Sequence, residues 1–203
     1  SGFDETDPEQ LALKQELGRM LIGHHPVFNR LADRYFTLED LFAIRNRLIG
    51  AGRIGGKTAG MLLAQRILLT KKEETGVDFT ERLDSHDSFY IGSDVFFTFL
   101  VNNDLFRLRL RLTCDSATSP DEFQEIEERF LAGRFSSTIR EQFRAMLDYY
   151  GQAPIIVRSS SLLEDSFGNS FAGKYRSIFC ANQGNPEVRL NDFMRAVKLV
   201  YAS

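Results

Sequence analysis

Apolar residues recur at helical spacing along most of this chain, and the strand-like exceptions are short. Asp7-Pro8-Glu9-Gln10 reads as a helix start: Asp7 can cap, Pro8 suits the first helical position, and Gln10 completes a capping-box-like pattern. Leu13, Leu17, Met20 and Leu21 then fall on one face. The pattern breaks from Gly23 to Asn29. Thr37 predicts the cap of a second helix carrying Leu38, Leu41, Phe42, Leu48 and Ile49, which Gly50 ends. A glycine-rich turn, Gly50 to Gly56, leads into Lys57, and a third helix is expected from about Thr58 to Leu69.

Lys71 to Asp87 is polar and reads as a loop or insertion. Phe89-Tyr90-Ile91 is a short strand candidate, after which Ser93 caps a helix carrying Phe96, Phe97, Leu100 and Val101. Two periods compete between Leu105 and Leu112. Arg107, Arg109 and Arg111 alternate with Leu108, Leu110 and Leu112 as in a strand, whereas Leu105, Leu108 and Leu112 fit a helix. Helix is preferred, because no turn residue separates the stretch from a hairpin partner, and its arginines read as a solvated face. Ser119-Pro120 opens a helix with Phe123, Ile126, Phe130 and Leu131 inward, ended by Gly133. Another, Thr138 to Tyr150, carries Ile139, Phe143, Met146 and Tyr150 on one stripe and ends at Gly151.

At Pro154 the pattern changes. Pro154-Ile155-Ile156-Val157 is a β-branched run that reads as a buried strand. Arg158 to Gly173, rich in Ser, Gly, Asp and Asn, reads as loop. Lys174 to Ala181 alternates as a second strand, and Asn185-Pro186 caps a last helix with Leu190, Phe193, Val197 and Val200 inward. The result is a helix-rich α+β chain with a small sheet. It starts without Met and stops inside an apolar-periodic helix, which suggests an excised piece of a longer protein.

Composition adds limits. At 203 residues, 43% hydrophobic and 26% charged, the chain can bury an ordinary core. A net charge of −3 argues against a non-specific nucleic-acid binder. Cys114 and Cys180 are too few for a disulfide framework or a zinc site, and they read as small buried residues. His24, His25 and His86 show no ligand spacing with them. The densest apolar run, Val95 to Val101, is far short of a membrane span, and the polar, acidic N-terminus is no signal peptide. No membrane partner and a cytoplasmic location are therefore the expectation.

Two places could carry chemistry. Ala51-Gly52-Arg53-Ile54-Gly55-Gly56-Lys57-Thr58 satisfies a loose P-loop pattern with Ala in place of the first glycine. Glycines let backbone amides approach phosphate oxygens, Lys57 adds a point charge, and the following helix points its positive end at the anion. A true P-loop follows a buried strand, however, and here the preceding stretch has a helical period. A flexible turn with a solvent lysine is the bland reading. The second place is Val157-Arg158-Ser159-Ser160-Ser161, with Glu164-Asp165 and then Ser170-Phe171-Ala172-Gly173-Lys174. An arginine leaving a strand can grip phosphate oxygens bidentately, and the hydroxyls supply neutral donors. The bland alternative pairs Arg158 with Glu164 or Asp165. Neither a Gly-x-Ser-x-Gly elbow nor a later histidine supports a serine nucleophile.

Together these segments resemble the ATP-binding domain of the phosphoenolpyruvate synthase and pyruvate phosphate dikinase family. The resemblance runs from about Gly50 to Ser203 and is strongest from Pro154 to Asn182. It implies the N-terminal portion of an ATP-grasp-like domain over 37–203, behind a helical lead-in over 1–36. It implies a parent phosphotransferase that moves a phosphoryl group from ATP to a histidine on a separate domain and on to pyruvate or another acceptor. ATP and magnesium are the implied cofactors, the magnesium ligands lying outside this segment, which alone is expected to be inactive. Lys57 and Arg158 match the family's phosphate-contacting, catalytically important cations. Gly55, Gly56, Ser159, Ser160, Ser170, Gly173 and Lys174 match its nucleotide-binding positions, with Glu164 and Asp165 bracing the loop. The longer polar stretch from Leu69 to Asp87 departs from the family's pattern. A non-catalytic nucleotide sensor or docking module in a multidomain protein is the alternative.

Overall fold

A computed structural model describes residues 7–23, 26–84, 86–114, 120–160, 165–166, 169–170 and 175–203. The chain divides into two compact units: residues 1–92 with 160–170, and residues 93–159 with 171–203. Among the described residues, no helix is long and apolar enough to cross a membrane.

In the first unit, α1 (Pro8–Leu21) starts as its sequence dictates. The Asp7 carboxylate accepts the Glu9 amide at 3.0 Å and the Gln10 side-chain amide at 3.2 Å. The buried stripe is Lys14, Gly18 and Leu21 with Leu17 half-buried; Leu13 and Met20 point outward, contrary to expectation. Lys14, Leu17, Gly18 and Leu21 share the i, i+3, i+4, i+7 face, and a tolerant glycine and a lysine stem occupy positions that hydrophobicity alone overlooks. The expected break after Gly23 is instead a second helix, α2 (Pro26–Tyr35), with Pro26 at its first position and Phe28, Leu31, Ala32 and Tyr35 turned to the core.

Helix α3 (Leu38–Asn46) begins with a complete capping box: Thr37 Oγ1 accepts the Asp40 amide at 3.2 Å, and Asp40 accepts the Thr37 amide at 2.7 Å. It ends earlier than its apolar residues suggest. Leu48–Ile49 is a buried strand, β1, paired in parallel with β2 (Tyr90–Ile91). Two buried residues in a row carry no alternation, so the strand was indistinguishable from a helical continuation. Helix α4 (Gly56–Leu69) follows the glycine turn, and the polar stretch beyond it holds a single helical turn, α5 (Lys72–Thr75), and a 3-10 turn, Phe79–Glu81. Leu21, Ala32, Phe36, Leu41, Ile44, Leu48, Ile54, Ala59 and Leu63 form one core, so the helices before Thr37 pack with those after it.

The second unit holds α6 (Ser93–Asn102), α7 (Phe106–Cys114), α8 (Pro120–Ala132), α9 (Ser137–Tyr150), β3 (Ile155–Arg158), β6 (Ser177–Cys180) and α10 (Pro186–Ala202). Two further strands, β4 (Asp165–Ser166) and β5 (Asn169–Ser170), pair antiparallel in the first unit, in a stretch expected to be loop. The inward face of α6 is Val95, Phe99 and Leu100, while Phe97 and Val101 are exposed. The ambiguous arginine-leucine stretch is helical. Its Arg109 is not fully solvated: it donates to Ser203 O at 3.0 Å, and burial lowers its pKa. Phe99, Phe135 and Phe143 pack ring against ring, with Phe143 edge-on to Phe193 at 5.0 Å, around a fully buried Phe130. Leu190, Phe193, Val197 and Val200 of α10 are buried, as their spacing predicts. Cys180 is a free, buried thiol, whereas the Cys114 side chain lies outside the described ones.

A buried polar network ties this unit together. Asn182, at φ 56°, donates to Gly151 O at 3.0 Å and Ala153 O at 2.9 Å. Its Oδ1 accepts from Arg189 Nε at 3.0 Å, and Arg189 reaches on to Leu147 O in the last turn of α9. A guanidinium at a helix C-terminus complements the dipole and satisfies an end carbonyl.

Candidate functional site

The first candidate segment is a strand–turn–helix. Strand β1 is buried on both residues, Gly50 takes φ 86°, and Ile54 ties the turn back to α1 through a 2.8 Å bond to Leu21 O. The sequence-based objection that no strand precedes the glycines is therefore overturned. Gly55 is the N-cap of α4, and Lys57 sits half-buried in the helix's first turn, where the backbone dipoles favour an anion.

Gly55 contributes no side-chain cap. That role falls to Ser160, 102 residues away, whose Oγ accepts the Thr58 amide at 2.9 Å and shares a 2.8 Å hydrogen bond with Thr58 Oγ1. Gly55 lies so close that a Cβ there would fall 1.4 Å from Ser160 O and 2.5 Å from its Oγ. The backbone angle at Gly55 is ordinary, with φ −76°, so the position needs glycine for space and not for conformation. The structure thus joins two of the sequence's candidate segments, Gly55 to Thr58 and Ser160. Thr58 was not singled out; a hydroxyl at the third position of a helix with a glycine cap was the available signal.

The second candidate segment starts on β3. The expected buried strand is only half-buried: Val157 faces inward, Ile156 is 43% exposed, and Arg158 is exposed. The cause is the two-stranded sheet. Among the described residues β3 pairs only with β6, antiparallel, in the register Ile156 to Phe179 and Arg158 to Ser177. Alternation puts Ile156 and Arg158 on one face with Ser177 and Phe179, and Phe179 is 81% exposed. Ser159 is half-buried. Ser170 is described only as backbone, paired with Asp165. Glu164, Gly173 and Lys174 lie outside the described residues, as do His24 and His25. Among the described residues, no group of three or more His, Cys, Asp or Glu could hold a metal ion.

Residues 51–203 match the family described as pyruvate phosphate dikinase, AMP/ATP-binding domain. The match takes in both candidate segments, from the glycine turn through Arg158 to the end of α10. Comparison with curated proteins and with solved structures gave no match.

Proposed function

The chain belongs to the pyruvate phosphate dikinase AMP/ATP-binding family, and on that premise we propose that it is the ATP-binding part of a phosphotransferase resembling phosphoenolpyruvate synthase and pyruvate phosphate dikinase. In this reading an ATP-grasp-like module hands a phosphoryl group from ATP to a histidine on another domain, and from there to pyruvate or another acceptor. The observation that carries it is the N-terminal turn of α4. A glycine pair, a lysine in the first turn and the N-terminal helix dipole suit an anion, and the Ser160 hydroxyl is hydrogen-bonded to the same turn.

The chemistry asked of these residues is electrostatic. Lys57 supplies a compact positive charge to the phosphates, and Arg158 supplies a planar fork able to hold two oxygens at once. Charge that builds on the phosphoryl oxygens as the bond to the leaving group loosens is stabilised by such fixed cations. Gly55 and Gly56 keep the turn free of side chains, Ser159 would add a neutral donor, and Ser170, Gly173 and Lys174 match, by resemblance, the family's loop over the phosphates. Magnesium would supply further charge neutralisation when bound, and the described residues offer it no acidic cluster.

Phosphate-labelled ATP tests the transfer. Residues 1–203 alone are expected to bind ATP weakly and transfer nothing, while the full-length protein acquires acid-labile label on a histidine. Label appearing on the 1–203 segment, or none appearing on a full-length protein that binds ATP, overturns the transfer reading.

A further inference from the structure

Strands β3 and β6 and helix α10 all lie in the second unit, so both faces of the β3–β6 sheet are defined within it. One face is closed: Val157 and Cys180 are buried, and α10 packs along both strands. The other is open and carries Ile156 and Arg158 from β3 with Ser177 and Phe179 from β6. These four side chains are sorted by chemistry. Ile156 stands directly across from Phe179, and Arg158 directly across from Ser177. The face therefore has an apolar, aromatic end and a cationic, hydroxyl-bearing end, one side-chain repeat or about 7 Å apart along the strands. A lone exposed phenylalanine calls for no explanation. Here the ring is 81% exposed, abuts a second exposed apolar side chain and shares its face with an arginine.

We propose that Phe179 is the base-stacking residue of the nucleotide site, with the purine laid on its ring beside Ile156 and the phosphates directed toward Arg158. A ligand that suits this face has a flat apolar part and an anionic part, as a nucleotide does. A free phosphate or a sugar phosphate would use Arg158 and leave the ring idle. The proposal rests on the reading above only for Arg158 as a phosphate ligand, and it needs no group from the first unit. Every base has a π face, so Phe179 supplies affinity for the base and not a choice between purines.

The test is calorimetric titration of the full-length protein with three ligands: ATP, adenosine (base without phosphates) and tripolyphosphate (phosphates without base). Phe179→Ala is expected to weaken ATP and adenosine by the same factor, about tenfold, as losing one base–aromatic stack would. Tripolyphosphate binding should stay within about twofold, because it does not use the ring. Phe179→Tyr keeps the π face and should bind ATP as the parent does. Phe179→Leu keeps apolar bulk without a π face, loses most of the stack, and serves as the second variant if Phe179→Ala does not fold. ATP affinity unchanged in Phe179→Ala overturns the proposal. So does a loss that tripolyphosphate shares, since the sheet is then distorted and no stack is at issue, and so does a Phe179→Leu protein that matches the parent. Arg158→Ala should give the reverse pattern, weakening ATP and tripolyphosphate and sparing adenosine. An Arg158→Ala protein that binds tripolyphosphate normally defeats the phosphate reading instead, and the Phe179 results with adenosine are unaffected by that outcome.

Discussion

Gly55→Ala is the sharpest probe of the α4 turn. A Cβ at this position would sit 1.4 Å from Ser160 O and 2.4 Å from Ser160 C, so no rotamer relieves the overlap and Ser160 must move. Moving it breaks the two Thr58 bonds, worth about 1 kcal/mol each, and forces a backbone shift costing about 1–3 kcal/mol. The unfolded chain loses freedom on gaining Ala, which returns about 0.4–1 kcal/mol. The net expectation is a loss of about 2–4 kcal/mol from these terms together. Gly60→Ala, in the same helix, is the internal control: a Cβ there meets nothing within 4 Å, and better helix propensity should stabilise by about 0.5–1 kcal/mol. Urea unfolding of the two variants beside the parent measures both effects. A neutral or stabilising Gly55→Ala would refute the claim that Ser160 is seated against this turn.

Two further outcomes follow from the second unit. Asn182→Ala removes three hydrogen bonds, strands Arg189 Nε in the interior and puts Ala at φ 56°; urea unfolding should show a loss of about 3–5 kcal/mol, and a loss under 1 kcal/mol on the same scale would contradict the network. Burial, with Asp192 adding to it, raises the Cys180 thiol above its ordinary 9.0. The protein should therefore lose stability relative to its unfolded chain as pH climbs past 9.0, where the unfolded thiol ionises first. Cys180→Ala removes that part of the alkaline slope, as paired unfolding measurements at pH 8 and about 9.5 would show; an unchanged slope would place the thiol in water.

Much of the helical framework was legible because its signals are local. Asp7, Thr37 and Asn185 cap the helices beside them, and the α10 stripe follows its period. Where the reading failed, the deciding partner was distant. Leu48 and Ile49 are a strand because Tyr90 and Ile91 lie alongside them, some forty positions later. α2 was missed although Phe28, Leu31, Ala32 and Tyr35 keep helical spacing, since Gly23 and the following polar residues masked its start. At the site, the residue types were visible but the use of Gly55 was not. Its glycine suggested room for a phosphate, whereas the structure spends that room on Ser160, a contact no sequence period encodes.

ATP titration of the full-length protein against Lys57→Ala and Arg158→Ala, with adenosine as the ligand lacking phosphates, tests the nucleotide assignment most directly. If both cations hold phosphate, each substitution weakens ATP by about 10- to 100-fold, the loss of a charge-assisted contact, and leaves adenosine within about twofold, since it makes no such contact. ATP affinity unchanged in both variants would contradict the account and return Lys57 and Arg158 to surface charges.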